Sequence, residues 1–543
     1  MPSASKKVPT ARNIGIALVV GIALLFMYLL YSSGQTSGLS DVNAIEYAVI
    51  ARNIAAHGTF TTDILKPLSL AKIPRLANHP DLIYPPLFPL WEAMWLKWMG
   101  LSERAIPLAD GAWLFITGLA LLLIGNAWFG PRVGATAAIL YILNASMLSY
   151  AAGGVETPML AFELLVLFAA VASFVNDSPK RLWKAALIGA LAAALYLTKY
   201  VWGLAFLPAV IAIFLGTPAR HRFKLAAICV FAFVLVTAPW LVRNTLVAGN
   251  PFFSFRWLES VMHTRTYPGN TLYRTFTTAY PHWLLFAVTS PREVLMKART
   301  GTMVVYADAL LAAGPYVGAF FIAAILVVIG TRGFEVARYV FYATYLLVIA
   351  ALLILFPAPR LTAPIASVAT LIGVAFFTKL LSAIAEGAPE KRRNRIMLTG
   401  LVVLGILQAI PTIQRLSAGR PASAVRTDQV RMAARQVASL IDGPVVTDVP
   451  WPVAWFGEKQ AIWLPTTLDD LHKIEDRVGP VKWLLLTPFV RRTQDTERTQ
   501  TWAKMWEDAM RREIIRAGFA VYRRLPGNWI LFRRTTLAPP RRK

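Results

Sequence analysis

Cysteine and charged residues are both scarce in this sequence. Cys229 is the single cysteine among 543 residues and lies inside an apolar run, which excludes a disulfide framework and a cysteine metal site. Charged residues make up 15% of the chain, whereas soluble globular proteins carry about 25%. Hydrophobic residues make up 56%. These values exclude a large water-soluble enzyme and predict a protein with many membrane spans.

Acidic residues are the scarcer of the two charge types. The chain has 29 of them against 55 lysines and arginines, which gives a formal net charge of +26. An excess of this size often indicates nucleic-acid binding. Here many of the cations lie between apolar runs, where basic residues hold helix ends on one side of a membrane. We therefore expect a lipid bilayer as partner and no nucleic acid.

Long apolar runs recur along the first three quarters of the chain. About 20 apolar residues cross the hydrocarbon core of a bilayer, and eleven stretches come near that length. The first is too long for a secretory signal peptide and is followed by further spans, so we interpret it as a retained anchor. The eleven predicted spans are 14–31, 105–128, 133–151, 158–175, 183–197, 201–215, 223–241, 307–329, 339–356, 361–384 and 396–413.

The short connections between these spans predict the orientation. If residues 1–12 are cytoplasmic, five basic connections fall on the cytoplasmic side by counting spans alone, as the positive-inside rule requires. The long segments 32–104, 242–306 and 414–543 then face outward. We expect the inner membrane of a bacterium, with the C-terminal segment periplasmic or extracellular. The five connections carry Arg132, Lys180/Arg181/Lys184, Arg220/Arg222/Lys224, Arg332/Arg338 and Lys391/Arg392/Arg393/Arg395.

Residues 84–99 form an apolar run of a different kind. Counting them as a span would place the later basic connections on the wrong side. Trp91, Trp95 and Trp98 recur at helical spacing, and tryptophan is typical of the headgroup region. We predict a short helix along the outer interface, begun by the proline pair 85–86. A tilted extra span is the alternative.

The composition changes after residue 413. Predicted helices alternate there with short β-branched runs, which is typical of a small α/β domain. We predict helices at 427–441, 468–478 and 497–517, strands at 444–449, 461–464 and 481–486, and a hairpin at 520–532 with its turn at 526–528. The basic tail 533–543 is expected to be disordered or to lie on anionic lipid. The predicted fold is a polytopic α-helical membrane module, 1–413, with an extracytoplasmic α/β domain, 414–543.

Ionisable groups at the predicted outer ends of the spans point to the chemistry. Charges at membrane depth are costly and indicate function. Cations there suit a phosphate, and carboxylates suit proton abstraction from a hydroxyl or an amine. Together they predict a site for a sugar carried on a polyprenyl phosphate. The residues at these ends are Asp41, Glu46, Glu156, Lys199, Tyr200, Arg243, Asn244 and Arg360.

Short motifs follow one another along the same ends. Each is weak alone, but their order and common side make the set informative. They are Asp41 with Glu46-Tyr47-Ala48, Arg52-Asn53 and Gly58; His79-Pro80 with Tyr84-Pro85-Pro86; Glu156-Thr157-Pro158; Thr198-Lys199-Tyr200; and Pro239-Trp240-Leu241-Val242-Arg243-Asn244 with Gly249-Asn250-Pro251.

This set resembles the membrane glycosyltransferases of the GT-C superfamily over about residues 13–380. The branch it is most similar to contains protein mannosyltransferases and the lipid A aminoarabinose transferase. The resemblance implies an inverting transfer from a polyprenyl-phosphate donor at the non-cytoplasmic face. It also implies an acidic base in the first outer loop, at the position that Asn43 occupies here. Asp41 and Glu46 flank that position, and Asp41 is our first choice.

We expect the remaining polar residues at these outer ends to bind the donor phosphate or the substrates. Tyr84 occupies a position at which similar proteins often carry a charge. No cofactor is expected besides the donor substrate; the histidines lack metal-ligand spacing, and a divalent ion is the disfavoured alternative. We assign Lys199, Arg243 and Arg360 to the donor phosphate, and Glu156, Tyr84, Tyr200, Asn244 and His79 to substrate binding.

Each assignment has a structural alternative. Asp41 and Glu156 could cap helices, Glu46 could belong to a solvated helix face, and the cations could extend to lipid headgroups. For the whole protein, the alternatives are a membrane transporter and a non-catalytic export partner for envelope glycans or lipids. The sugar, the acceptor (lipid A, protein, or teichoic or capsular polymer) and the oligomeric state stay open.

Overall fold

The computed structural model describes residues 11–35, 38–355, 357–419, 421–491, 500–512 and 518–535. The N-terminal lysines, which the sequence predicts to be cytoplasmic, and most of the predicted basic tail lie outside these residues.

Helices that can cross a membrane dominate the first 417 residues. Seven helices in the described part of the chain are long and apolar enough to span a bilayer, so the protein is an integral membrane protein. Each coincides with a predicted span. They are Leu18–Gln35, Ala105–Phe129, Thr157–Asn176, Ala219–Ala248, Arg332–Ile354, Pro359–Ile384 and Glu390–Ser417.

The other four predicted spans are bent or short helices. Pro131–Ile142 and Ala145–Gly153 form a pair bent by 54°. The bend lies at Asn144, whose side chain accepts from two backbone N–H groups of the second helix and donates to the carbonyl of Ala312. The short apolar helices are Leu182–Thr198, Tyr200–Leu215 and Pro315–Leu326.

The eighth predicted span differs from a continuous helix. The preceding helix, Pro291–Leu311, ends within the predicted stretch 307–329. Gly314 then adopts a left-handed backbone (φ 86°) before the helix that begins at Pro315. That helical stretch, Pro315–Leu326, has a length of roughly 18 Å at 1.5 Å per residue, less than the ~30 Å hydrocarbon core.

Three helices fill the segment between the first two spans. They are Val42–His57, Pro67–Lys72 and Leu87–Met99. The third is the predicted tryptophan-rich helix, and its length of roughly 20 Å is too short for a span. Trp91 donates its indole N–H to the carbonyl of Ala109 at 2.9 Å, which fixes the helix against the second span.

A second group of short helices lies between Ala248 and Pro315. Phe255–Ser260 is a 3-10 helix. The α-helices there are Thr271–Arg274, Trp283–Thr289 and Pro291–Leu311.

The C-terminal domain is built around a six-stranded sheet. Its helices are Ala422–Leu440, Pro450–Phe456, Leu468–Val478 and Gln500–Arg511. The strand order is β1-β3-β2-β4-β6-β5, with β1 to β4 parallel and the β5–β6 hairpin antiparallel. The strands are β1 Ile64–Leu65, β2 Val445–Thr447, β3 Ala461–Trp463, β4 Trp483–Leu486, β5 Phe519–Leu525 and β6 Trp529–Arg534.

β1 comes from the segment between the first two spans, so the sheet extends beyond residues 414–543. Ile64 pairs with Ala461 in parallel register. Nearby, Arg52 donates to the carbonyls of Ala454 (2.9 Å) and Trp455 (3.2 Å). The C-terminal domain is therefore attached directly to the helix Val42–His57.

Asp448, just after β2, connects the ends of two strands. Its carboxyl accepts from the backbone N–H (3.1 Å) and the hydroxyl (2.7 Å) of Thr487, just after β4. Burial raises the pKa of Asp448 to about 7. The folded state therefore binds this proton more tightly than the unfolded chain, whose carboxyl has a pKa of about 3.9.

We expect the stability of the domain to fall as the pH rises from about 4 to about 7. The carboxyl contributes fully below pH 4, and this contribution is lost through pH 7, at up to about 1.4 kcal/mol per pH unit. Thermal unfolding in detergent should show a smaller pH slope for Asp448→Asn. Asp469→Asn, at an exposed position, should keep the wild-type slope, and an unchanged slope in Asp448→Asn would refute the assignment.

Candidate functional site

Asp41 lies at the start of the helix Val42–His57 and carries out the capping role. Its Oδ1 accepts from the backbone N–H groups of Asn43 (2.8 Å) and Ala44 (3.2 Å). The same atom accepts from Asn43 Nδ2 and pairs with Arg360 Nη1 at 3.2 Å. Every polar contact of Asp41 among the described residues is on Oδ1, so Oδ2 is available to a ligand. The side chain is 45% exposed.

Glu156 and Lys199 form a buried ion pair, with 2.7 Å between Oε1 and Nζ. Glu156 precedes the helix Thr157–Asn176, yet its side chain makes no capping hydrogen bond. Lys199 ends the helix Leu182–Thr198 in an extended conformation, which turns its side chain away from the helix axis. Its Nζ also donates to the hydroxyl of Tyr47 at 2.9 Å. Two of its three N–H donors are thus used, and the third can serve a phosphate.

Two tyrosines occupy the centre of the site. The rings of Tyr47 and Tyr84 meet edge to face at 4.6 Å, and Tyr84 donates its hydroxyl to Asn43 Oδ1 at 3.2 Å. The Tyr84 ring has two cations near it, Lys199 Nζ at 5.8 Å and the Arg256 guanidinium at 5.5 Å. Arg256 also pairs with Glu259 through Nε at 3.3 Å. Position 84 thus carries an aromatic ring with two positive charges close to it.

Glu46 is held by groups from two other segments. Lys66 Nζ pairs with Oε2 at 2.9 Å, and Trp451 Nε1 donates to Oε1 at 2.9 Å. Burial would raise the pKa of Glu46, but Lys66 and the hydrogen bonds from Lys66, Trp451 and Tyr84 hold it below its usual value. Glu46 is 4% exposed, so the alternative of a solvated face is wrong.

Two cavities meet at these groups. One is a narrow cavity of about 50 Å³ with mostly apolar walls, which include Val201, Leu352 and Leu361. The other is a wider cavity of about 440 Å³, lined by charged, aromatic and aliphatic side chains, three of which belong to the C-terminal domain. They share four lining residues, Ile83, Tyr84, Arg256 and Glu259.

The charges around the wider cavity nearly cancel. Four cations and three carboxylates face it or border it. Glu156 and Lys199 are not included in this count, because they neutralise each other. One net positive charge remains, which matches the single negative charge of a phosphodiester. The cations are Lys66, Arg256, Arg274 and Arg360, and the carboxylates are Asp41, Glu46 and Glu259.

The structure brings most, but not all, of the predicted residues together. Asp41, Glu46, Tyr84, Glu156, Lys199 and Arg360 form one cluster. Tyr200 lines the apolar cavity and accepts a hydrogen bond from Trp240 at 3.0 Å.

Arg243, Asn244 and His79 lie beside this cluster. Arg243 donates to the carbonyl of Asp81 at 2.8 Å and to Asn244 Oδ1 at 3.1 Å. Asn244 donates to the carbonyl of Pro251. His79 is buried and bonded through Nδ1 to the carbonyl of Arg75, and burial lowers its pKa to about 4. All three hold loop backbone, and their ligand roles stay predictions.

Five residues of the site were missed by the sequence reasoning, namely Lys66, Arg256, Glu259, Arg274 and Trp451. All lie in long segments, away from the ends of the predicted spans. The i, i+3 spacing of Arg256 and Glu259 was a signal for an ion pair but not for its location. In the described part of the chain, no group of three or more histidine, cysteine, aspartate or glutamate side chains could hold a metal ion.

The bundle of apolar helices with an attached α/β domain is similar in fold to membrane proteins of the GT-C type whose structures are solved. The structure of ArnT from Cupriavidus metallidurans bound to undecaprenyl phosphate matches 98% of this chain and 100% of its own, with a TM-score of 0.57 at 14% identity. Its apo form matches 96% and 98%, with a TM-score of 0.57 at 13% identity. The Archaeoglobus fulgidus oligosaccharyltransferase AglB gives a TM-score of 0.49 at 11% identity, over 86% of this chain and 69% of its own. No family model and no curated protein matches the sequence.

Proposed function

We propose that this protein is a glycosyltransferase that moves a sugar from a polyprenyl-phosphate donor to an acceptor hydroxyl or amine at the non-cytoplasmic face. The observation that carries the proposal is the junction of the two cavities. A mostly apolar cavity and a wider one lined by charged and aromatic residues share Tyr84 and Arg256 there, and Lys199 Nζ and the Arg256 guanidinium lie 5.8 and 5.5 Å from the centre of the Tyr84 ring. That arrangement suits a phosphate with a lipid chain on one side and a sugar on the other. The fold shared with ArnT, solved with undecaprenyl phosphate bound, supports it.

Asp41 is the base in this proposal. Its Oδ2 takes the proton of the acceptor O–H or N–H while the acceptor atom bonds to the anomeric carbon. The bond from that carbon to the phosphate oxygen breaks, and its electron pair leaves on the phosphate, with inversion at the carbon. Lys199, Arg256 and Arg360 offset the charge that grows on the phosphate. Glu46 suits the role of base less well, because Lys66 and Trp451 occupy both of its oxygens.

A release assay tests the function. Purified wild-type protein, a panel of undecaprenyl-phosphate-linked sugars and candidate glycan, lipid and protein acceptors should yield free undecaprenyl phosphate and a glycosylated acceptor. Asp41→Asn protein serves as the matched negative control. Movement of the intact donor across vesicles without release of undecaprenyl phosphate would favour a transporter and contradict the proposal.

Arg256→Gln should weaken the binding of undecaprenyl phosphate by roughly 10–150-fold, because hydrogen bonds to charged groups contribute about 1.5–3 kcal/mol. The guanidinium uses only its Nε for Glu259 among the described residues, which leaves its two NH₂ groups for phosphate oxygens. The measurement is the Kd for undecaprenyl phosphate in detergent.

Arg243→Gln is the comparison, since the Nη2 group of Arg243 donates to two loop carbonyls and its Nη1 group donates to Asn244. If Arg243→Gln weakens binding as much as Arg256→Gln without loss of stability, Arg243 keeps its predicted role at the phosphate. If Arg256→Gln binds like wild type, Arg256 has no such role.

A further inference from the structure

The loops of the C-terminal domain that face the wider cavity all lie at the carboxyl ends of its parallel strands. Trp451, Trp463 and Phe489 all line that cavity. Trp463 is the last residue of β3, and the other two follow the carboxyl ends of β2 and β4 within a few residues. In open sheets with parallel strands, ligands bind at the carboxyl edge. We refer to these three aromatic residues as the aromatic roof.

The loops of the aromatic roof are fixed in place. Trp451 is held by Glu46, and its ring meets that of Trp463 at 5.0 Å. Asp448 binds Thr487, whose Oγ1 in turn accepts from the backbone N–H of Phe489 at 3.1 Å. The loops after β2 and β4 are therefore connected to each other. Such preorganised aromatic faces lower the entropic cost of binding a ligand.

Exposure differs within the aromatic roof. Trp451 and Trp463 are each 8% exposed, whereas Phe489 is 47% exposed. Phe489 contributes less to the core than a fully buried phenylalanine, because about half of its surface stays exposed. Its position at the cavity makes it available to a ligand.

We infer that the aromatic roof binds the ring of a saccharide, which rests on the proposed function. A pyranose has C–H groups on its ring faces and hydroxyls around its rim. The C–H face suits the negative face of an aromatic ring, and the hydroxyls suit polar walls such as those of Asn270, Arg274 and Lys66. A polyprenyl chain would offer these polar groups no further hydrogen-bond partner. The ring belongs either to the donor sugar or to an acceptor saccharide, and the test distinguishes these two sources.

Phe489→Ala is the variant of choice, and Tyr522→Ala is its control. Tyr522 is 47% exposed on the same domain and lies against Trp483 in the sheet. For each protein, three quantities are measured: the Kd for bare undecaprenyl phosphate, the Kd for undecaprenyl-phosphate-linked sugar, and the KM for an acceptor saccharide at saturating donor. Trp463→Phe and Trp463→Ala follow as a conservative and a truncating pair.

We expect Phe489→Ala to bind bare undecaprenyl phosphate within twofold of wild type. A rise of about five- to tenfold in the Kd of the sugar-linked donor identifies the donor sugar, and the same rise in the acceptor KM identifies the acceptor saccharide. Whichever of these two constants rises in Phe489→Ala should rise less in Trp463→Phe than in Trp463→Ala. If the wild-type protein is active and Phe489→Ala leaves all three quantities unchanged, the saccharide-binding role of the aromatic roof is refuted, while the proposed function stands. An equal loss of affinity for bare and sugar-linked undecaprenyl phosphate in Phe489→Ala refutes that role as well. Wild-type protein that releases no undecaprenyl phosphate from any donor overturns the proposed function, and the saccharide site with it.

Discussion

Asp41→Asn should lower turnover by roughly 10²–10⁴ while the donor still binds, the range expected when a general base is removed. Asparagine can retain the helix cap through its amide oxygen, so the fold should survive the change. The structure supplies the reason for choosing this residue. Oδ1 is engaged by the cap and by Arg360, whereas Oδ2 has no polar contact among the described residues. The measurement is kcat in the release assay, together with the Kd for the sugar-linked donor.

Glu46→Gln is the matched comparison, because it removes the other carboxylate of the same helix. Its amide can still accept from Trp451, while the ion pair with Lys66 is lost. We expect a decrease in kcat much smaller than that of Asp41→Asn. A fully active Asp41→Asn protein with an inactive Glu46→Gln protein would show that Glu46 is the base. If both variants turn over at the wild-type rate, the catalytic base does not lie on this helix.

Lys199→Met should have the second large effect, on stability and on donor binding together. Glu156 is 0% exposed and pairs with Lys199 at 2.7 Å. Removing one partner of a buried pair typically costs about 3–5 kcal/mol, because the other charge stays behind without compensation. The variant should unfold at a clearly lower Tm and bind undecaprenyl phosphate weakly.

The double variant Glu156→Gln/Lys199→Met separates these two effects. Both buried charges are then gone, so most of the lost stability should return. Donor binding should stay weak, since the ammonium that would contact the phosphate is absent. Recovery of both properties would show that Lys199 acts only as the partner of Glu156. A single variant with wild-type Tm and Kd would contradict both roles.

The sequence was sufficient for seven of the eleven predicted spans and for most of the C-terminal domain. Length and apolarity determine a membrane span almost alone, and seven predicted stretches coincide with helices long enough to cross a bilayer, whereas the other four coincide with bent or shorter helices. The strand predicted at 461–464 and the helix at 468–478 match β3 and Leu468–Val478 closely. Turn residues and short β-branched runs mark such elements locally. The GT-C fold was likewise predicted from ordered short motifs.

The features that the sequence did not predict depend on contacts between distant segments. β1 has two residues, too few for any periodic pattern. Lys66 and Arg256 lie within long connections whose path span counting does not fix. The interruption at Gly314 was hidden because both flanking helices are apolar enough to appear continuous. Glu46 was interpreted as solvent-facing in one alternative because its helix is only locally amphipathic in sequence, whereas Lys66 and Trp451 bury it.

β1 has a consequence for the order in which the molecule matures. Its partner strand β3, which contains Ala461, is synthesised only after most of the chain has been made, and so is Trp451, which holds Glu46. A nascent chain that has inserted every span still lacks Trp451, which donates a hydrogen bond to Glu46. A C-terminal fragment made alone would present the unpaired edge of β3, a template for pairing with other chains. Assembly of the site around Glu46 therefore requires the last domain to reach the same compartment as the helix Val42–His57.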